Sequence, residues 1–159
     1  MNNETKLERS FIFYVATLLF FGVGAITTVG LDWYTTLSLP WWTPPELFVA
    51  AVWFVLFLCT AFSVSIFWEQ SKKGGASSRS IVSLYVLNSF LVLLWSYLFF
   101  GVHELGLAFG AALAVGLSVA MLMLRLWKGF RNAALLLLPY LGWMLFALAY
   151  TYTVMVMNA

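Results

Sequence analysis

Five long apolar runs separated by short polar segments organise this chain: residues 11–30, 47–68, 81–101, 105–124 and 133–157. At ~1.5 Å rise per residue, each is long enough as a helix to cross a ~30 Å hydrocarbon core. The runs are continuous rather than alternating at period two, which predicts helices and not barrel strands. None contains Asp, Glu, Lys or Arg. Because the connectors are short, residues 1–159 are expected to fold as one all-α integral membrane domain, a five-transmembrane-helix bundle. The first run exceeds a signal-peptide core and has no convincing small-residue cleavage site, so it reads as a retained helix. Residues 31–46 are rich in Trp and Pro and read as an ordered cap at the membrane surface. The tract from Ser71 to Arg79 is polar and reads as a mobile loop.

Composition agrees with this pattern: 64% of residues are hydrophobic and 9% charged, against roughly 25% charged in soluble domains. Lipid is therefore the main solvent. The charges also give a direction. Lys6 and Arg9 precede the first run, Lys72, Lys73 and Arg79 follow the second, and Arg125, Lys128 and Arg131 follow the fourth. With five spans, all eight basic residues fall on one side, and Asp32, Glu46, Glu104 and His103 fall on the other. The positive-inside rule then predicts a cytoplasmic N-terminus, and so strict an asymmetry suggests a bacterial inner membrane. A net charge of +2 in scattered clusters excludes nucleic acid as a partner.

Most catalytic chemistries are excluded by what the spans lack. Pumps and proton relays need intramembrane ionisable groups. Metal hydrolysis or nucleophilic catalysis needs a His, Asp, Glu or Cys cluster, so no metal or required cofactor is expected. His103 reads as a surface turn residue, and Cys59 stands alone in an apolar run. The eight tryptophans are the positive signal. Trp68 and Trp127 fit the aromatic belt of an interface, and Trp41 and Trp42 fit either belt or lid. Trp53, Trp95 and Trp143 lie inside spans, with Trp53 about 10 Å below the outer surface by helix rise. Asn88 shares a helix face with Trp95, and Tyr140, Trp143 and Ala147 form another stripe. Indoles with a few amides and hydroxyls at similar depth suit a flat apolar ligand with a polar handle; helix–helix packing is the competing reading. Gly106, Gly110 and Ala114 form a small-residue face that fits either internal packing or a second copy of the chain.

The loop Trp33-Tyr34-x-x-Leu37-x-Leu39-Pro40-x-Trp42-x-Pro44-Pro45 resembles the W-Y-x-x-L-x-K-P-x-W-x-P-P signature of the TspO/MBR family, the tryptophan-rich sensory or translocator proteins. Gly24, Gly30 and Trp53 fit the first two helices of that family. Trp95-Ser96-x-x-Phe99-Phe100-Gly101 fits the third, and Ala133 with Pro139-Tyr140-x-x-Trp143-x-x-Phe146-Ala147 fits the fifth. The resemblance implies a five-helix bundle with a ligand cavity lidded by the first loop, and often a homodimer, here through Gly106, Gly110 and Ala114. It implies ligands such as porphyrins, sterols or benzodiazepine-site drugs. Trp53 and Trp143 would stack on a macrocycle, Trp33 and Tyr34 would contribute from the lid with Pro40, Trp42, Pro44 and Pro45, and Asn88 would line the cavity. A second implied role is light-dependent porphyrin breakdown through Trp53 and Trp143; a third is a regulatory or scaffold protein with reduced binding.

The chain departs from the pattern at Leu39, where a Lys is usual, and at Val92 and Thr151, where Asn is common. No Lys or Arg follows Tyr150 or Tyr152, so the proposed cholesterol motif cannot be written. These changes make the expected cavity more apolar than is typical of the family.

Overall fold

The computed structural model describes residues 3–74 and 79–159. Residues 75–78 of the polar tract, for which a mobile loop is expected, lie outside the described residues, as do the side chains of Lys6, Arg9, Lys72 and Lys73. The helices are α1 (Asn3–Tyr34), α2 (Glu46–Gly74), α3 (Arg79–Ser96), α4 (Leu105–Trp127), α5 (Arg131–Leu135) and α6 (Leu138–Met157). A π-helical turn, Tyr97–Gly101, extends α3. Five segments are long and apolar enough to span a membrane, and no strand occurs among the described residues. The chain is a multi-pass, all-helical membrane protein.

Helix α4 is the centre of the bundle, packed between α3 and α6. Its buried face carries Ala108, Ala111, Ala112, Val115, Gly116, Ser118 and Val119. Small residues matter here because lipid tails are as apolar as side chains; helices associate in a bilayer by close packing, not by escaping water. Gly106 and Gly110 are exposed, and a Cβ added to either would meet nothing within 4 Å. The glycine end of that small-residue stripe therefore faces away from the rest of the bundle, and internal packing does not account for it.

Two buried polar ties cross the bundle. Ser63 Oγ donates to the Ala133 carbonyl at 2.7 Å and is paired with the Tyr85 hydroxyl at 2.6 Å, linking α2, α3 and α5. Asn88 Nδ2 donates to Ser118 Oγ at 2.8 Å, and the Tyr140 hydroxyl donates to Asn88 Oδ1 at 3.2 Å, linking α3, α4 and α6. With no water in a hydrocarbon core, an amide such as Asn88 is tolerated only when another helix completes its hydrogen bonds.

The span boundaries differ from the apolar runs for local reasons. Helix α1 continues past Gly30 to Tyr34, so Trp33 and Tyr34 occupy its last turn and the loop starts at Thr35. At its end the Pro44-Pro45 pair precedes α2, where the Val49 N–H reaches the Pro45 carbonyl at 3.1 Å; Pro suits a helix start because its missing N–H would have no partner there. Pro139 cannot donate to the Leu135 carbonyl, and the fifth span accordingly divides into α5 and α6. At the end of α3 the Val102 N–H bonds back to Tyr97, and that of Glu104 to Leu98. This wide turn presses the Phe100 backbone onto α1: a Cβ on Gly30 would lie 2.8 Å from Phe100 Cα. Glycine is required at that crossing.

Candidate functional site

At the end of the bundle closed by the 35–45 loop, α1, α2, the π-turn and α6 enclose a cavity of about 310 Å³. Trp53, Trp95 and Trp143 border it, together with Phe20, Phe99, Phe100, Phe146 and Tyr150. The Trp53 and Trp95 rings lie 5.8 Å apart at 30°, and Trp143 and Phe146 lie 4.8 Å apart at 31°. These tilted pairs leave indole and phenyl faces around one apolar space of the size of a small-molecule site. Thr27 and Thr28 on the α1 wall return their hydroxyls to the Val23 and Gly24 carbonyls, so that wall offers little free polarity. The Nε1 atoms of Trp95 and Trp143 are buried without a hydrogen-bond acceptor. Buried N–H groups usually find partners, so two orphan donors beside one cavity are a distinctive feature.

The exposed lining residues define the mouth. Gly24 and Thr28 on α1 and Glu46 and Ala50 on α2 are all exposed, so the cavity opens sideways between these helices. Glu46 is the only acidic side chain among the described lining residues, and none of them is basic. It sits in the first turn of α2, where the helix dipole favours a negative charge.

The loop is held over this end by specific contacts. The Tyr34 and Tyr150 hydroxyls are hydrogen-bonded. The edge of Trp42 meets Phe146 and Tyr150 at 5.7 and 5.6 Å. Pro40 is buried and its carbonyl accepts from Thr43 Oγ1 at 2.6 Å. Asn158, just past α6, accepts from the Ser38 N–H through Oδ1 and donates to the Ser38 carbonyl through Nδ2, both at 2.9 Å. Leu39, in the place of the family's usual Lys, packs against the buried cluster of Phe99, Ala108 and Val154. Trp41, by contrast, is 95% exposed.

Of the residues singled out in the sequence, Tyr34, Pro44, Trp53, Trp95, Trp143 and Ala147 do border the cavity. Trp33, Asn88 and Tyr140 do not. Trp33 is one residue from Tyr34 and so points about 100° away around the helix; it stacks on His103 at 4.2 Å and edges onto Phe99. His103 is an exposed turn residue with φ 66°, an uncommon left-handed conformation for a non-glycine. Asn88 lies two turns along α3 from Trp95, about 10 Å by helix rise, and is occupied by Ser118 and Tyr140. Tyr140 meets Trp53 edge to face and, like Asn88, lines a second cavity nearer the basic end. Pro45 is exposed. Trp68, read as a belt residue, is half-buried and lines a different cavity nearer the basic end. Trp127 is exposed, with the Arg131 guanidinium 5.0 Å from its ring.

The α1 wall lies outside the residues singled out in the sequence. Phe20, Val23, Thr27 and Leu31 recur at spacings of three and four, one face of a helix, and that periodicity was available. Phe146, present in the fifth-helix motif but not among the expected ligand contacts, and Tyr150 continue the Trp143 stripe at three- and four-residue steps. Val92 is fully buried and outside this cavity, whereas Thr151 is buried and borders it. Among the described residues no group of three or more His, Cys, Asp or Glu could hold a metal ion.

Known proteins share this sequence pattern. The chain is 30% identical to a tryptophan-rich protein TspO of Archaeoglobus fulgidus over 117 residues, 74% of each chain. It is 29% identical to a tryptophan-rich protein TspO of Bacillus cereus over 153 residues, 96% of this chain and 98% of that one. It is 33% identical to a translocator protein of Ovis aries over 111 residues, 69% of this chain and 64% of the sheep protein, slightly under two thirds of its length. A sequence model of the TspO/MBR family matches residues 11–157, almost the whole helical bundle, and the chain belongs to that family.

Proposed function

We propose that this membrane protein is a receptor or carrier that binds porphyrin-like tetrapyrroles, or other flat apolar ligands such as sterols or benzodiazepine-site compounds, in the aromatic cavity. The observation that carries this reading is the meeting of three indoles, from α2, α3 and α6, on one apolar space. A ligand with a flat π face matches the ring surfaces around that space. At about 310 Å³ the cavity is at the small end of ligand sites, so a macrocycle would extend through the mouth between α1 and α2. Its carboxylates would then lie near the interface.

The distribution of Lys and Arg supports a cytoplasmic N-terminus and insertion in a bacterial inner membrane, with the cavity in the outer half. The outward-facing Gly106 and Gly110 support a homodimer packed through α4.

Titration of the purified protein with protoporphyrin, followed by tryptophan fluorescence, tests the reading. Saturable quenching at micromolar ligand, weakened by Trp53→Phe or Trp143→Phe, is expected. A linear, non-saturating response in the unaltered protein would refute it.

A further inference from the structure

The larger cavity lies elsewhere. About 550 Å³ opens between α1, α2 and α3 toward the basic end of the bundle. On α2 it reaches from Phe57 to Trp68, about 16 Å by helix rise, close to the ~15 Å hydrocarbon depth of one leaflet. Phe57 and Trp53, with ring centroids 5.8 Å apart, stand between this cleft and the aromatic cavity.

Its walls call for hydrocarbon. The polar groups on them are already engaged: Thr60 Oγ1 donates to the Leu56 carbonyl at 2.9 Å, Ser89 Oγ to the Tyr85 carbonyl at 3.0 Å, the Tyr85 hydroxyl is paired with Ser63, and the Tyr140 hydroxyl donates to Asn88, whose amide donates to Ser118. A buried water needs two to four polar partners, which this lining does not offer. Val15 on α1 and Val86 on α3 both line the cleft and are exposed, 38% and 65% respectively, so it opens to the bilayer between those helices.

Charge specifies the rest of the occupant. Arg79 is exposed at the start of α3, one turn before the lining residue Val82. In the sequence Lys6 and Arg9 precede the α1 wall, and Lys72 and Lys73 follow the α2 wall; with Glu4, Glu8 and Glu69, the flanks of these three helices hold five basic and three acidic residues, a net of +2. Basic residues beside a bilayer attract anionic lipid headgroups. We infer that this cleft holds one acyl chain of an anionic glycerophospholipid from the leaflet on the basic side, its phosphate near Arg79. The inference is independent of what the aromatic cavity binds.

Photo-crosslinking tests it. The full chain is reconstituted in phosphatidylcholine vesicles containing a small fraction of phosphatidylglycerol with a mid-chain diazirine, irradiated, and mapped by mass spectrometry. Labels should concentrate on Thr60, Val64 and Ser89, and Val86→Trp at the lip should reduce them roughly tenfold, the effect of a modest loss of affinity. Val15→Trp, on the opposite lip, should act alike; both sites are exposed, and elution profile and helix content verify the fold. The same diazirine on phosphatidylcholine should label the cleft less, and Arg79→Gln should narrow that difference. Labelling spread evenly over lipid-facing residues such as Leu117 and Leu145, or labelling of the cleft unaffected by both lip variants, would overturn the site. Equal labelling by the two headgroups would overturn the anionic lipid.

Discussion

The hydroxyls of Tyr34 and Tyr150 are hydrogen-bonded to each other, joining the last turn of α1 to α6 at the end of the aromatic cavity. Both residues also line that cavity, so the bond couples closure of the bundle to the shape of the site. Tyr150→Phe should lower stability by about 0.5–1.5 kcal/mol, the usual net worth of one such bond. It should also speed porphyrin dissociation. Thermal unfolding in detergent and stopped-flow release measure the two effects. Unchanged values for both would show that the pair holds nothing in place.

Gly30 and Gly24 make an internal comparison on one helix. A methyl on Gly30 would collide with the Phe100 backbone, while one on Gly24 meets nothing within 4 Å. Gly30→Ala should therefore destabilise the bundle by about 1–3 kcal/mol, the cost of overpacking. Gly24→Ala should be neutral or should stabilise by up to roughly 1 kcal/mol, because alanine is the better helix former. Melting temperatures of the two variants decide the matter, and an equal drop in both would contradict the crossing described for the π-turn.

Asn88 and Trp53 should separate stability from binding. Asn88→Leu removes the amide that joins α3 to α4 and α6 and should cost about 0.6–1.7 kcal/mol, the range of interhelical hydrogen bonds in membranes. Its effect on protoporphyrin affinity should be small, since Asn88 does not border the aromatic cavity. Trp53→Phe should weaken binding several-fold. Fluorescence titration beside thermal unfolding reads both axes. A collapse of binding in Asn88→Leu at full stability would place the ligand elsewhere.

Trp95 and Trp143 carry a less obvious expectation. Each has a buried indole N–H without an acceptor, an arrangement that costs about 1–3 kcal/mol per group. Trp143→Phe removes the orphan donor while keeping an aromatic ring, so the ligand-free protein should be as stable as before or more so. Flat aromatic ligands should meanwhile bind less tightly, because a phenyl ring offers less stacking surface than an indole. Calorimetry of binding and thermal unfolding check the opposed signs; parallel losses in both would indicate a purely structural tryptophan.

The spans were legible because a bilayer interior leaves few choices: a run of twenty apolar residues without charge is a helix or nothing. The loop signature and the glycine at position 30 were legible as patterns too. Other features were not, for identifiable reasons. The partner of Asn88 is Ser118, on the next helix, and which serine it meets depends on helix rotation that packing alone decides. The π-turn at Tyr97–Gly101 reads as ordinary helix in sequence, since a single extra residue per turn leaves no compositional trace. Trp33 and Tyr34 are equivalent in the loop signature, but α1 continues through both, which sends adjacent side chains in different directions.

The sideways mouth framed by Gly24, Thr28 and Ala50 has a consequence for any assay of this protein. A ligand arriving there comes from the bilayer, so the concentration that governs occupancy is its mole fraction in lipid and not its molarity in buffer. Apparent dissociation constants should therefore rise as lipid or detergent dilutes the partitioned ligand. Two ligands of equal intrinsic fit should rank by their partition coefficients.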